Sequence, residues 1–292
     1  MRIPFKKILP AAIGLMAILI AQTVFSQDLS PFEIMKKVDD RDDGDTVNNY
    51  IVMVKVDKRG QKRLLELKSF RKDYGEDEKS ILFFTKPADK RNVSLLSWEK
   101  DDDAQEDDKW LYLPAGNIKT RIAGGKKKDP FMGSDFSYAD MESTEINDWD
   151  YKFTEKYSAK DKSKLNPVVD GHECWIIQSL PKKEKLKSIL KEIGYLKRVS
   201  WVRKDNFMVV RSRIWVKKGK KTKLFFARKI EQIQGIWTAR ELEMRTYKGS
   251  IATKKRRARS LQHRTVLLFK NTKYNEPIED SMFTVQRMIR GL

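Results

Sequence analysis

Apolar and polar residues alternate along most of this chain, with the spacing of two that is typical of β-strands. The clearest case is the segment in which Trp149, Tyr151 and Phe153 are separated by Asp150 and Lys152. Because successive side chains of a strand point to opposite faces of a sheet, the segment predicts a strand with one aromatic face and one charged face. We expect the aromatic face to point into the protein.

Segments of this kind recur from about residue 50 to residue 269, and short turns that contain glycine, proline or aspartate separate most of them. They predict roughly eleven strands, joined largely as hairpins. An antiparallel sheet of that length curls or closes and does not remain flat. The pattern therefore predicts a mainly β protein built on one curled antiparallel sheet.

Short helices are predicted beside the strands. Ser30 and Pro31 form a helix start, with serine at the N-cap and proline at the first helical position, and Ile34 and Val38 follow at helical spacing. Apolar residues between Leu186 and Ile193 have the same spacing, so they predict a second short helix.

The segment from Phe131 to Met141, called the 131–141 segment below, differs from the rest of the chain. Apolar and small polar residues interleave there with almost no charge, between heavily charged flanks. Pro130 and Gly133 predict a loop with a tight turn. We expect Ser134 or Asp135 to cap a short helical turn that follows them.

The 131–141 segment carries too many large apolar side chains for a solvated loop, so they must pack on something. They are Phe131, Met132, Phe136, Tyr138 and Met141. Two interpretations remain open. The segment is either a lid that covers an apolar groove, with Gly133 as its hinge, or a loop that fills the protein's own core.

The first residues have the pattern of a secretory signal peptide. Basic residues precede an uncharged apolar run from Ile8 to Ala21, and small or tolerated residues end at Ser26. The run is shorter than the roughly 20 apolar residues that a membrane span needs. We therefore expect cleavage after residue 26, a mature protein that begins near Gln27, and a periplasmic location; the alternative is an uncleaved membrane anchor.

The chain is strongly basic, with 61 lysines and arginines against 41 acidic residues and a net charge of +20. An export signal argues against nucleic acid as the partner, so an anionic membrane surface, an acidic protein or a cell-wall polymer fits better. The candidate contacts are Lys254, Lys255, Arg256, Arg257 and Arg259. The same run could also be a solvated hairpin tip with no partner.

Residues with catalytic potential are few. His172 and Cys174 lie two apart on a predicted strand, which places their side chains about 7 Å apart, too far for a thiolate–imidazole pair. His172 and His263 are the only histidines, so no metal site and no cofactor are predicted. A hydrolase that uses His172 or Asp135 remains a minor hypothesis.

Three short motifs in order resemble the LolA-like outer-membrane lipoprotein-sorting family, in particular its larger periplasmic members. They are Trp110-x-Tyr112-x-Pro114, Arg121-Ile122, and the run from Phe131 to Asp140. The resemblance implies that residues 27–292 form one lipid-binding domain of the LolA/LolB type with basic C-terminal strands. It also implies a half-open β-barrel whose concave face is covered by short helices and loops, with an apolar cavity between.

The resemblance implies a non-enzymatic periplasmic carrier that binds lipid or lipoprotein acyl chains and passes them toward the outer membrane, with an inner-membrane transporter of the RND type as partner. The chain is longer than the short lipoprotein carriers and adds a basic region from about Lys248, which leaves the cargo open. The alternative is an accessory protein whose barrel is self-filled and whose basic surface binds an acidic partner or a cell-wall polymer. The residues expected in the cavity or its lid are Trp110, Tyr112, Phe131, Met132, Phe136, Tyr138, Met141, Trp149, Tyr151 and Phe153.

Overall fold

Fourteen antiparallel strands lie in the described part of the chain, which comprises residues 28–101, 105–159, 161–216, 221–249 and 261–292 of a computed structural model. The strands are β1 (Thr46–Asp57), β2 (Lys62–Tyr74), β3 (Asp77–Lys86), β4 (Ser94–Glu99), β5 (Asp108–Leu113), β6 (Ile118–Arg121), β7 (Trp149–Phe153), β8 (Val168–Val169), β9 (His172–Pro181), β10 (Tyr195–Arg203), β11 (Val209–Val216), β12 (Lys221–Ile233), β13 (Ile236–Lys248) and β14 (Leu261–Tyr274). The count exceeds the eleven expected, in part because the two-residue β8 is too short to show an alternating pattern.

The helices are α1 (Pro31–Asp39), α2 (Leu186–Glu192) and α3 (Val285–Arg290), together with short 3-10 turns at Ala88–Lys90, Pro114–Gly116, Gly124–Lys126, Phe131–Gly133, Tyr138–Met141, Ile146–Asp148 and Asp280–Phe283. The two predicted helices are confirmed as α1 and α2. At the start of α1, Ser30 Oγ accepts a hydrogen bond from the Glu33 N–H at 3.2 Å, and Glu33 Oε2 accepts one from the Ser30 N–H at 2.7 Å. This reciprocal cap satisfies backbone donors that the first helical turn leaves unpaired.

The strand order is β6-β5-β4-β3-β2-β1-β14-β13-β12-β11-β10-β9-β7, and β8 pairs with β9. The first and last strands therefore lie side by side in the middle of the sheet, with a register that runs from Val47 opposite Tyr274 to Asp57 opposite His263. The outermost strands β6 and β7 do not pair with each other, so the sheet is not closed.

The sheet is curled into a half-open barrel, as the sequence predicts. Leu95 of β4 and Ile214 of β11 belong to one buried apolar cluster, although six strands separate β4 from β11 in the sheet. Only a curled sheet brings residues so far apart in strand order into one core. The concave face therefore holds the main core.

The convex face carries a separate apolar cluster under the C-terminal helix. Phe283 and Met288 pack there against Ile81, Phe83 and Leu96. Two hydrogen bonds fasten this segment to β4: Trp98 Nε1 donates to the Phe283 carbonyl at 2.9 Å, and Ser94 Oγ donates to the Met288 carbonyl at 2.9 Å.

None of the helices in the described ranges is long and apolar enough to cross a lipid bilayer.

Candidate functional site

The 131–141 segment crosses the concave face of the sheet and packs into the main core. Phe131 is 1% exposed, Phe136 4% and Tyr138 7%. The ring of Phe131 lies 6.0 Å from that of Phe84 and 5.6 Å from that of Tyr138. Met132 and Met141 are half-buried against the same cluster. The prediction that these side chains pack against the protein is therefore confirmed.

Asp135 anchors the middle of the segment to β13 and β14. The carboxylate accepts hydrogen bonds from Thr265 Oγ1 at 2.7 Å and from Thr246 Oγ1 at 2.5 Å, and it contacts His263 Nδ1 at 2.5 Å. The carboxylate is almost wholly buried, whereas the His263 side chain is half-exposed. A buried carboxylate is tolerated only when such partners replace its water, so the contacts hold the segment in one place.

Asp140 forms a second anchor, on β10 and β12. Its carboxylate accepts hydrogen bonds from the Tyr195 hydroxyl at 2.8 Å and from the Ser137 N–H at 2.8 Å, and Lys223 Nζ lies 3.4 Å away. Burial alone raises the pKa of a carboxyl, but Lys223 and these hydrogen bonds outweigh it and hold the pKa of Asp140 below its ordinary value. Asp140 is therefore an ionised group inside the core.

Two further details refine the predicted local structure. Lys55 of β1 donates from Nζ to the Met132 carbonyl at 2.8 Å, and burial lowers the pKa of this lysine. The short helical turn is capped by Ser137, whose hydroxyl accepts from the Asp140 N–H at 3.3 Å, and not by Ser134 or Asp135. The capping prediction was wrong because the Asp135 carboxylate is hydrogen-bonded to strands β13 and β14 instead.

The anchors attach one short segment to strands β1, β10, β12, β13 and β14. Gly133 does adopt a positive φ of 67°, as a tight turn requires. A segment held by two buried carboxylates is a fixed partition across the barrel in this structure, and this arrangement favours the core-filling interpretation over a movable lid. Whether Gly133 acts as a hinge stays a prediction.

An apolar cavity of about 440 Å³ lies on one side of this partition, beneath α1. Met35 and Val38 of α1 cover it, and Phe136 closes its inner end. Its apolar walls are Ala139, Ile146, Trp149, Tyr151, Ile193, Tyr195, Val209, Ile214, Phe225, Leu242 and Met244, and its charged lining residues are Asp39, Arg41, Asp43, Asp140, Glu142 and Arg198. We call this space the first cavity.

A further cavity of about 350 Å³ adjoins the first one toward β1 and β14. Val38, Phe225 and Leu242 line both spaces, so the two cavities form a continuous groove beneath the C-terminal end of α1. Arg41 donates from Nη1 to the Trp237 carbonyl at 3.1 Å and thereby attaches the end of α1 to the groove's rim. The helix predicted at Ser30 is thus the cover of the groove.

The opposite side of the partition holds a cavity of about 460 Å³, called the second cavity. Ile193 and Tyr195 line both the first and the second cavity and so belong to the wall between them. Lys128, Lys221, Lys223 and His263 line the second cavity together with Pro130, Leu190 and Val216.

Trp110 and Tyr112 lie away from both cavities, which corrects the prediction that they line the ligand groove. They pack in the convex cluster under α3, where the Trp110 ring lies 5.0 Å from that of Trp98. Leu111 and Leu113 contact the main core instead. Both faces of β5 are apolar because each packs against another part of the protein. The alternation of side chains therefore could not show which face of the strand points to the concave side of the sheet.

The aromatic face of strand β7 is only partly buried, contrary to the prediction. Trp149 is buried at 3% exposure and Tyr151 is half-buried, and both line the first cavity. Phe153 lies on the same face in the regular β7–β9 register, but it is 49% exposed, so the expectation that it packs into the protein was wrong. It is the last residue of the outermost strand, and no neighbouring strand covers it on that side.

The remaining candidates are either separated from each other or lie outside the described residues. His172 is exposed near Asp205 at 3.7 Å, far from Asp135 in the fold, so the structure does not bring the two hydrolase candidates together. Burial raises the pKa of the Cys174 thiol to about 11. Lys254, Lys255, Arg256, Arg257 and Arg259, like the signal-peptide residues 1–26, lie outside the described ranges.

Several residues that line the first cavity were not among the candidates from sequence. Leu242 and Met244 alternate on β13, so the spacing of two already placed them on one face. Tyr195 and Arg198 gave no such signal, because their roles depend on the neighbouring strand and on the wall of the cavity. No group of three histidine, cysteine or acidic residues capable of holding a metal occurs in the part of the chain that the structure describes.

Solved structures with this fold are available for comparison. A DUF1329 family protein from Desulfovibrio piger is 27% identical over 89% of this chain and 100% of that chain, with a TM-score of 0.72. An outer membrane lipoprotein-sorting protein domain from Vibrio parahaemolyticus is 23% identical over 89% and 98%, with a TM-score of 0.70. A LolA superfamily protein from Nitrosomonas europaea is 16% identical over 89% and 99%, with a TM-score of 0.60.

No curated protein matches the chain significantly. A family model described as "Uncharacterized protein" matches residues 76–290, which is most of the chain. The resemblance inferred from Trp110 to Asp140 thus agrees with the structural neighbours, which are DUF1329 family and LolA superfamily proteins. The chain therefore belongs to the family that this model describes, and it has the fold of the LolA superfamily.

Proposed function

We propose that this protein is a periplasmic carrier without catalytic activity, which binds lipid or lipoprotein acyl chains in the first cavity and delivers them toward the outer membrane. The observation that carries the proposal is the apolar groove beneath α1. Its volume lies in the range of about 300–1,000 Å³ that is usual for small-molecule sites. The LolA-type fold supports the same role.

The energetics of the groove suit a hydrocarbon chain. Each buried methylene of such a chain contributes about 0.8 kcal/mol, so a chain of ordinary length binds without specific polar contacts. Arg198 lies among the aromatic residues of the wall, and its guanidinium lies 5.7 Å from the Trp149 ring and 5.9 Å from the Tyr195 ring. A site of this composition retains the chain and leaves the rest of the cargo unspecified.

The entrance of the groove lies under α1. Ile34 fastens the helix to the sheet against Ile177 and Val202, while Phe32 on the same helix is substantially exposed. Because Met35, Val38 and Asp39 of α1 line the cavity, a small displacement of this helix would open it. We therefore assign the role of lid to α1, with the 131–141 segment as the fixed inner wall.

The test is a pair of leucine-to-tryptophan variants. Leu242→Trp adds a large side chain on the wall shared by the two adjoining cavities, whereas Leu268→Trp makes the same change on the next strand, where the neighbouring Leu267 and not Leu268 belongs to the main core. We expect Leu242→Trp to weaken binding of a fluorescent fatty acid by roughly tenfold or more, which is about 1.4 kcal/mol. Leu268→Trp should bind as the unmodified protein does. Equal affinities of the two folded variants would contradict the proposal.

A second function is favoured by one observation, namely that the 131–141 segment already fills part of the concave face. In this alternative the protein is an envelope accessory protein that carries no lipid and whose basic surface binds an acidic partner or cell-wall polymer. Native mass spectrometry of protein purified from the periplasm separates the two. Bound acyl lipid in the purified protein supports the carrier, whereas an empty protein that also fails to bind the fluorescent fatty acid supports the accessory role.

Export and membrane contact are part of the carrier proposal. The signal-peptide pattern supports cleavage before Gln27, which N-terminal sequencing of the exported protein tests. Each basic residue near an anionic bilayer contributes about 1 kcal/mol, so the run from Lys254 to Arg259 would hold the carrier at such a surface. Affinity purification of the transporter complex from inner membranes tests the RND-type partner.

A further inference from the structure

The second cavity has a different character from the first. It lies across the partition from α1, and its lining combines lysines and a histidine with apolar side chains. We infer that the second cavity is a binding site for a phosphate group, carried by an amphiphile or free in solution, with Lys128 and Lys221 as its cationic contacts. The inference concerns a separate cavity, and it does not depend on acyl chains entering the first one.

Neither of the two lysines forms an ion pair with a carboxylate in the described part of the protein. Lys128 Nζ donates to the Lys191 carbonyl at 3.0 Å, and no carboxylate of the described residues pairs with its charge. Lys221, at the start of β12, forms no ion pair with the described residues and is exposed at the mouth of the cavity. Lys223, deeper in the cavity, is already paired with Asp140 and Tyr195. The negative charge of a bound phosphate would therefore be neutralised by Lys128 and Lys221.

The acidic groups that face the cavity do not cancel these charges. Asp135 is occupied by Thr246, Thr265 and His263. Asp129 is exposed at the rim, where water and salt screen its charge. The His263 ring turns its Nδ1 toward Asp135, so Nε2 is the nitrogen left to meet a ligand.

The rest of the lining favours a phosphate that carries a short hydrocarbon portion. Pro130, Leu190, Ile193 and Val216 form apolar walls beside the lysines. Gly133 and Gly194 leave room at the lining, since a methyl group at either would lie no closer than 3.6 Å to a side chain of another residue. A lysine ammonium is a compact point charge that suits phosphate oxygens, and burial of the neighbouring alkyl groups adds affinity.

The experiment uses calorimetric titration of the full-length mature protein with three probes: inorganic phosphate, dihexanoylphosphatidic acid and dihexanoylglycerol, each below its aggregation concentration. The two lipids share their chains and differ in the phosphate. We expect the phosphatidic acid to bind at least tenfold more tightly than the glycerol lipid, and this difference to shrink as salt is raised. Lys128→Glu and Lys221→Glu should each remove most of the difference.

Lys119→Glu is the matched control. It makes the same charge change on an exposed residue of the edge strand β6, opposite Tyr112 of the convex cluster. It should leave all affinities unchanged. Binding of inorganic phosphate with the same dependence on Lys128 and Lys221 would identify free phosphate as a sufficient ligand and support the site.

Two results would overturn the inference. One is equal affinity for the two lipids in the unmodified protein. The other is a preference for phosphatidic acid that survives both lysine variants but is lost in Leu242→Trp, since that places the phosphate in the first cavity. The fluorescent fatty acid measured on the same samples reports on the first cavity, so failure of the carrier proposal is distinguishable from failure of this one.

Discussion

Thr265 Oγ1 donates a hydrogen bond to Asp135 Oδ2 at 2.7 Å, and the N–H of the same aspartate donates back to that hydroxyl at 3.0 Å. The two residues are 130 positions apart in the sequence. This reciprocal pair, together with the Thr246 hydroxyl, joins the 131–141 segment to the middle of the sheet. The stability of the inner wall of the groove should therefore depend on Asp135.

We expect Asp135→Ala to lower the free energy of unfolding by about 3 kcal/mol or more. The change strands two buried hydroxyl donors, and each unsatisfied donor costs about 1–3 kcal/mol. Asp129→Ala, on an exposed carboxylate nearby, should stay within about 0.5 kcal/mol. Urea unfolding followed by tryptophan fluorescence measures both. A loss below 1 kcal/mol for Asp135→Ala would mean that the anchor contributes little.

The pair of Lys223 and Asp140 leads to a prediction about pH. Since the pKa of Asp140 is held below its ordinary value in the folded protein, its ionised form stabilises the fold above pH 4, and this contribution is lost as the pH falls through the folded pKa. Lys223→Met removes the main positive partner, so burial should then raise the pKa of Asp140. The variant should be about 3–5 kcal/mol less stable at pH 7.

The direction in which the stability of Lys223→Met changes with pH tests this ion pair. The deficit of Lys223→Met relative to the unmodified protein should shrink as the pH is lowered from 7 toward 4, because protonation removes the unpaired buried charge. Tyr195→Phe keeps the lysine and serves as the control, with a smaller loss of about 1–2 kcal/mol. The urea concentrations at the midpoint of unfolding, measured between pH 7 and pH 4, test this prediction. A loss of stability in Lys223→Met that does not change with pH would contradict the proposed ion pair.

The role of Phe136 separates a fixed partition from a movable lid. If the partition is fixed, Phe136→Ala leaves a cavity in the main core and costs about 3–5 kcal/mol. The amides of residues 134–140 should also be among those well protected from hydrogen exchange. A loss below about 2 kcal/mol together with fast exchange of these amides would restore the lid interpretation, with Gly133 as its hinge.

The outermost strand β7 allows a matched comparison of two aromatic residues. Trp149→Ala should cost about 3–5 kcal/mol, since this side chain is buried in the main core. Phe153→Ala should cost less than about 1 kcal/mol, since half of this side chain is already exposed to solvent. Denaturant unfolding of the two variants tests how much of each side chain is buried. Similar losses would show that Phe153 is covered.

Local patterns were sufficient for most of the elements, although not for β8 or α3. The spacing of two located the strands, and the sequence Ser30-Pro31 with Glu33 located the start of α1, because alternation and helix capping depend on residues close together in the chain. The lack of charge in the 131–141 segment also predicted its burial, since the cost of exposing five large apolar side chains is a property of those side chains.

The tertiary structure alone decided which faces meet and which groups pair. Alternation divides a strand such as β5 into two faces, but both are apolar, so the sequence could not show that Trp110 and Tyr112 lie under α3 and outside the groove. The partners of Asp135 and Asp140 depend on the register of strands more than 50 residues away. A carboxylate is stabilised in a core only by groups brought to it through folding, and for this reason the partition and the two cavities beside it emerge only when the sheet curls.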